Sequence, residues 1–205
     1  ADSKVMCTII AKNYISLART LCDSFLKYHT EGVCYVLIID DFEGYLDPAK
    51  ETFHTIKATD LDISDLKGLA FKYNLLEFAT ALKPYLLKFI FDLTSTDKIL
   101  YLDPDILVIN PLDKLYEELD KNDLVFTPHT DEDYPEDDLY PDDGLVLRYG
   151  IFNLGFIGLK RSENTYKFLL WWQNKLLRKC FVRAESGYFV DQKFIDFAVI
   201  LFPNY

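Results

Sequence analysis

Two carboxylates spaced two residues apart, Asp103 and Asp105, follow an apolar run that reads Lys98-Ile-Leu-Tyr-Leu102. In extended backbone, residues i and i+2 point to the same side, so the pair converges just past the end of a strand. Ligands of open parallel sheets bind at that edge, outside the carboxyl ends of the strands. Two hard oxygen donors there suit Mg²⁺ or Mn²⁺, which keep coordination positions open for substrate phosphates. The plainer alternative is a solvated turn started by Asp-Pro. The apolar strand in front of the pair favours the metal-binding reading.

Such a pair needs a sheet to hold it, and the rest of the chain supplies one. Residues 5–11 and 35–39 are short, continuous apolar runs rich in β-branched side chains, as in strands covered on both faces. Between them, residues 13–29 show helical spacing, with Leu17, Leu21 and Phe25 on one stripe. Helices are predicted at 75–81, at 84–93 with Pro84 in the first turn, and from Pro111 to Leu119. Strands follow at 98–102, 124–127 and 152–159, the last interrupted by Gly155 and Gly158, with an extended piece at 106–109. Ser162 caps a predicted long helix reaching Cys180, and 187–198 reads as a final helix. Residues 42–74 show no clear period, and 128–149 read as a long loop. Alternating strands and helices imply an α/β fold with a largely parallel sheet.

The chain has 205 residues and a net charge of −11. That balance argues against a polynucleotide partner, whose phosphates demand a basic surface. Much of the acidity sits in residues 131–143, which hold eight acids and no base. That segment reads as a solvated loop or as a lid beside the site. Cys7, Cys22, Cys34 and Cys180 include no CxxC pair, so they are not a zinc framework. The apolar runs around Cys7, Cys22 and Cys34 predict buried, reduced thiols and a cytoplasmic protein. No apolar run is long enough for a membrane span, and a peripheral position at the inner membrane face is left open. The length fits a single domain over 1–205, and the abrupt apolar ending suggests a C-terminal truncation.

Residues 99–112, Ile-Leu-Tyr-Leu-Asp-Pro-Asp-Ile-Leu-Val-Ile-Asn-Pro-Leu, resemble the DxD region of GT-A nucleotide-sugar glycosyltransferases. Within these they resemble the retaining group that includes glycogenin and bacterial lipopolysaccharide galactosyltransferases. Further segments agree in order: Ala11-Lys-Asn-Tyr14 after the first strand, Phe152-Asn-Leu-Gly155, and Phe189-Val-Asp191-Gln192. Leu154 stands where the family more commonly has Ser or Ala.

The resemblance implies a GT-A fold and transfer of a hexose from a nucleotide diphosphate sugar, with UDP as the expected nucleotide. The acceptor would be a glycan, a lipid or a protein. It implies that Asp105 binds Mn²⁺ or Mg²⁺, with Asp103 on the ribose or sharing the metal. Ala11, Asn13 and Tyr14 would meet the nucleotide. Asn153 would hold the sugar or acceptor, and Gly155 would permit close backbone approach. Asp191 and Gln192 would read sugar hydroxyls near the anomeric carbon, and Lys83 would face the sugar or phosphate.

Each residue also has a bland reading. Asn153 to Gly155 could be a strand bulge, Asp191 a helix cap, Lys83 a solvated helix start, and Asn13 and Tyr14 a cap and a core aromatic. Trp171 and Trp172 read as core and rim packing rather than a sugar platform. The related enzymes use a late His as a further metal ligand, and no His follows Asp191 here. His129 is a candidate substitute. Two other functions fit less of the pattern. A nucleotidyltransferase would need a Gly-rich loop after the first strand, and 11–14 has no Gly. A non-catalytic sugar-nucleotide-binding domain would keep the motifs and lack the late ligands.

Overall fold

The computed structural model describes residues 3–137 and 139–203. The chain begins with β1 (Val5–Ile10), α1 (Ile15–Tyr28) and β2 (Val33–Ile38), the predicted β-α-β start. Next come β3 (His54–Lys57), α2 (Leu66–Lys72), α3 (Leu75–Ala81) and α4 (Lys83–Leu93). β4 (Lys98–Leu102), α5 (Asp113–Lys121), β5 (Leu124–Pro128), α6 (Asp143–Tyr149) and β6 (Phe152–Lys160) follow. The C-terminal part holds α7 (Glu163–Lys179), a small hairpin of β7 (Val182–Arg183) and β8 (Tyr188–Phe189), and α8 (Ile195–Leu201).

Six strands form one sheet in the order β3-β2-β1-β4-β6-β5. β1, β2, β3 and β4 pair in parallel, and β6 runs antiparallel to both β4 and β5. The sheet is therefore mostly parallel, as the alternating elements imply. All of β1 is buried, because helices cover both faces. One face packs against α1 and α5 through Leu21, Phe25, Tyr116 and Leu119. The other packs against α3, α4, α7 and α8 through Phe91, Phe168, Trp172 and Ile195. Complete burial of side chains such as Phe25 or Phe91 contributes about 2–3 kcal/mol each. Trp172 stacks on Phe168 in this core and Trp171 is half-buried beside it, as their helical spacing implies. All four cysteines are free and buried.

Four expectations need correction. Residues 42–74 contain β3 and α2, both short and each with one buried side chain, Ile56 and Leu69. A single buried position leaves no period to read. The 128–149 loop contains α6, which buries nothing and so lacks an apolar stripe. Residues 106–109 form no strand. The final helix starts only at Ile195, because β8 and a single 3₁₀ turn (Gln192–Phe194) occupy 188–194.

Candidate active site

The parallel strands β1 and β4 lie side by side, with Val5 opposite Ile99 and Cys7 opposite Tyr101. Their carboxyl ends open onto one cleft of about 270 Å³. Ile10, Ala11 and Tyr14 line it from β1 and the turn that follows. Tyr101, Asp103, Pro104 and Asp105 line it from β4, and Leu75, Leu76, Ala79 and Thr80 form a wall on α3.

Asp103 is held at this edge from two sides. Its backbone N–H donates to the Gly155 carbonyl at 2.8 Å, extending the β4–β6 ladder by one residue. Its Oδ1 accepts from the Tyr101 hydroxyl at 2.8 Å. Burial, together with the negative charge of Asp103, pushes the Tyr101 phenol well above its ordinary range, so it stays a donor. Asp105 is exposed and lines the same cleft.

The Asn153–Gly155 segment is a bulge, and the bulge creates the site. Phe126 of β5 faces Ile157, but the next residue, Thr127, faces Asn153. Leu154, Gly155 and Phe156 are left out of that pairing. Asn153 Oδ1 accepts from the Gly155 N–H at 2.8 Å and closes the turn. A Cβ at 155 would sit 3.2 Å from Asp103 Oδ2 and 3.0 Å from Asn153 Oδ1. A side chain at 155 would require Asn153 or Asp103 to yield by a few tenths of an ångström.

Behind Asp103 lies a buried ion pair. Lys83 and Asp191 are each 2% exposed, and Lys83 Nζ lies 2.6 Å from Asp191 Oδ2. Lys83 also donates to the Leu154 carbonyl at 2.8 Å and sits 4.4 Å from the centre of the Tyr101 ring. It is not a solvated helix-start residue. Asp191 is not a helix cap, since its side chain accepts no capping bond. Apart from Lys83, no described group reaches Asp191 Oδ2. Burial raises the Asp191 carboxyl above the usual carboxylate range; Lys83 opposes this and Asp103 adds to it. Val190, just before it, has a φ of +38°. That region is strained for a β-branched residue and costs about 1–3 kcal/mol. This distortion accompanies the turn that brings Asp191 inward. The Trp172 indole N–H donates to the Asp191 carbonyl at 3.2 Å and holds the turn from the core side.

Of the remaining candidates, Ala11 and Tyr14 line the cleft, and Asn13, Gln192 and His129 are not among its lining residues. Asn13 is exposed and is not among the cleft-lining residues. Tyr14 lines the cleft rim and is 45% exposed, so it is not a core aromatic. The Gln192 side-chain amide donates to the Tyr149 carbonyl at 2.9 Å, at the end of α6. His129 is exposed, and its Nδ1 lies 2.9 Å from the Gly150 carbonyl. Among the described residues no group of three His, Cys, Asp or Glu side chains could hold a metal ion. His129 therefore does not complete a three-ligand site with Asp103 and Asp105. The α3 wall escapes sequence reasoning. The only hint is a pair of leucines, Leu75 and Leu76, in the first turn of a helix, both more than half exposed.

Comparison with known proteins places this geometry in a fold. No protein-family model matches the chain. An uncharacterised protein of Bacillus subtilis strain 168, YfnF, is 23% identical over 208 residues, covering 97% of this chain and 66% of its own length. The glycosyltransferase GlyE of Streptococcus pneumoniae TIGR4 superposes with a TM-score of 0.59 at 17% identity, over 99% of this chain and 44% of that one. The galactosyltransferase LgtC, solved with donor and acceptor sugar analogues, superposes with a TM-score of 0.56 at 18% identity, over 97% of this chain and 70% of that one. This chain thus spans less than two thirds of the length of YfnF and less than half of GlyE. Its six-stranded sheet, mostly parallel and flanked by helices, is the GT-A fold of glycosyltransferases.

Proposed function

We propose that residues 1–205 form one GT-A domain that transfers a hexose from a nucleotide diphosphate sugar, with UDP as the nucleotide, to a glycan, lipid or protein acceptor. The observation that carries this reading is the meeting of Asp103 and Asp105 at one cleft, at the carboxyl ends of two parallel strands. The structural neighbours are glycosyltransferases, which supports glycosyl transfer as the reaction class.

The donor set suits a divalent cation. Asp103 is fixed by Tyr101 and Gly155, and Asp105 is open to the cleft. Two carboxylates leave most coordination positions to phosphate oxygens and water, the arrangement Mg²⁺ and Mn²⁺ favour. When bound, such an ion supplies charge neutralisation for the departing diphosphate. Tyr101 keeps one oxygen of Asp103 in place and leaves Oδ2 on the Gly155 side. The apolar wall of Leu75, Leu76 and Ala79 excludes water from one side of the bound nucleotide. Tyr14, in the same cleft, would offer its ring to the base. Lys83 and Asp191 act from behind, holding Leu154 and Tyr101 in position.

The direct assay is release of nucleoside diphosphate from a panel of nucleotide sugars with Mn²⁺. Turnover of a UDP-hexose that stops on chelation supports the reading. No turnover and no metal-dependent binding with any donor, in a chain carrying the full length of the natural protein, opposes it.

A further inference from the structure

Five polar side chains line the cleft at the carboxyl ends of β1 and β4: Tyr14, Thr80, Tyr101, Asp103 and Asp105. Most of their hydrogen-bonding capacity is already engaged. The Tyr101 hydroxyl donates to Asp103 Oδ1. Thr80 turns its hydroxyl back on its own helix, donating to the Leu76 carbonyl at 2.8 Å, with the Cys180 sulfur 3.3 Å away. Asp105 and the second oxygen of Asp103 are hard anionic donors that suit a cation better than a base. Among the described residues, the Tyr14 hydroxyl is then the one side-chain group of the lining that is neither anionic nor engaged. The main chain leaving β1 is also occupied. The Ile10 carbonyl accepts from the Ile39 N–H at 3.0 Å and the Ala11 carbonyl from the Tyr14 N–H at 2.9 Å. The Lys12 N–H donates to Asp40 Oδ1 at 2.7 Å.

The remainder of the lining is apolar. Leu75, Leu76 and Ala79 lie with Thr80 on one face of α3, at helical spacing. Ile39 also lines the cleft, and Asn13 lies outside the lining. A base entering here meets an aromatic ring and aliphatic side chains. Stacking on an aromatic ring tolerates any base, because every base has a π-face. A pocket built to hydrogen-bond its substrate rejects a mismatched analogue by about 10⁴–10⁵. An apolar pocket distinguishes one added methyl by only about 10–200-fold.

We infer that the cleft reads its base by shape and stacking, so that the diphosphates of uridine, cytidine and 5-methyluridine all bind there. This rests on the donor reading proposed above and widens its substrate class from uridine to pyrimidine nucleoside diphosphates. Cytosine is the decisive case. Uracil carries a donor at its N3 and an acceptor at its C4 substituent, and cytosine exchanges the two. A side chain that read this edge would bind one base and reject the other. The O2 carbonyl and the link to ribose are common to all three bases, so a main-chain donor that meets O2 does not separate them. The methyl of 5-methyluracil adds only apolar surface, in keeping with the wall of Leu75, Leu76 and Ala79.

The test is calorimetric titration of UDP, CDP and 5-methyluridine diphosphate into the protein with Mn²⁺, repeated after chelation. The three dissociation constants are expected to lie within about a hundredfold of one another, and all three are expected to need the metal. Tyr14→Ala should weaken all three by about tenfold, as loss of a stacking ring does, and keep their ratios and the parent circular dichroism. CDP or 5-methyluridine diphosphate weaker than UDP by more than about a hundredfold overturns the inference and leaves the donor site standing. A Tyr14→Ala variant that changes the ratio of UDP to CDP affinity does the same, since the Tyr14 hydroxyl would then read the base. Failure of all three to bind with Mn²⁺ overturns the donor reading itself, and this inference with it.

Discussion

The ammonium of Lys83 lies 2.6 Å from Asp191 Oδ2, with both side chains closed off from solvent. The residues are far apart in sequence, one opening α4 and the other following β8, and they meet directly behind the cleft. A pair buried this deeply gains little net stability, since desolvation offsets the Coulomb attraction. Its effect is positional. Lys83 also holds the Leu154 carbonyl and covers the Tyr101 ring, so it ties the bulge of β6 to the end of β4.

Removing one partner should therefore cost far more than removing both. Lys83→Met leaves Asp191 buried without its cation and is expected to destabilise the fold by about 3–5 kcal/mol. The double variant Lys83→Met with Asp191→Leu should recover a large part of that loss. Urea denaturation of the two single variants and the double variant reads the cycle. Additive losses would show that the pair is not coupled.

Tyr101→Phe removes the hydroxyl that donates to Asp103 Oδ1. The carboxylate then loses one of its fixed directions while the ring still packs against Lys83. Metal-dependent affinity for nucleoside diphosphate should fall about tenfold, or about 1.4 kcal/mol, with a smaller change in unfolding free energy. Unchanged affinity would mean that Asp103 needs no orienting.

Gly155→Ala places a methyl group 3.2 Å from Asp103 Oδ2 and 3.0 Å from Asn153 Oδ1. The bulge cannot move away without breaking its bond to the Asp103 N–H. Nucleotide binding should weaken at least about tenfold, with a stability loss of about 1–3 kcal/mol from overpacking. Calorimetric binding and thermal melting, measured together, separate the two effects.

His29 gives stability a defined acid limb. It is buried beside Phe25, and its Nε2 accepts from the Leu112 N–H at 3.0 Å. Burial and then the charge of Lys4 lower its pKa below the ordinary 6.5, against a smaller upward pull from Asp113. The unfolded chain therefore takes up this proton first as pH falls. Stability from His29 is present above about pH 6.5 and is lost as pH drops towards the folded-state value. Melting temperature between pH 8 and 5 should show the decline. A His29→Gln variant should lack that part of it.

The sequence revealed the site's floor far better than its walls. Asp103 and Asp105 follow a five-residue apolar strand whose bounds match observation, because β4 is buried along nearly its whole length. Ser162 caps α7 as predicted, its hydroxyl accepting from the Thr165 N–H. The Lys83–Asp191 contact could not be read, since no local pattern encodes a pairing between distant segments. The same holds for the α3 wall. Asn74 and Glu77 cap that helix, and Glu77 Oε1 accepts from the Val182 N–H at 2.8 Å, which ties α3 to the chain after α7. Asp191 has a helix cap as its bland reading because Asp is common there. In the structure it turns inward to Lys83, beside a backbone distortion at Val190 that the sequence does not show.

The most direct measurement is calorimetric titration of UDP into the protein with and without Mn²⁺, repeated with Asp105→Asn. The expected result is binding that needs the metal and is lost in Asp105→Asn, whose melting temperature stays within about 2 °C of the parent, because an exposed side chain contributes little to stability. Equal UDP binding by the parent and Asp105→Asn, or binding indifferent to Mn²⁺, would contradict a donor site built on Asp103 and Asp105.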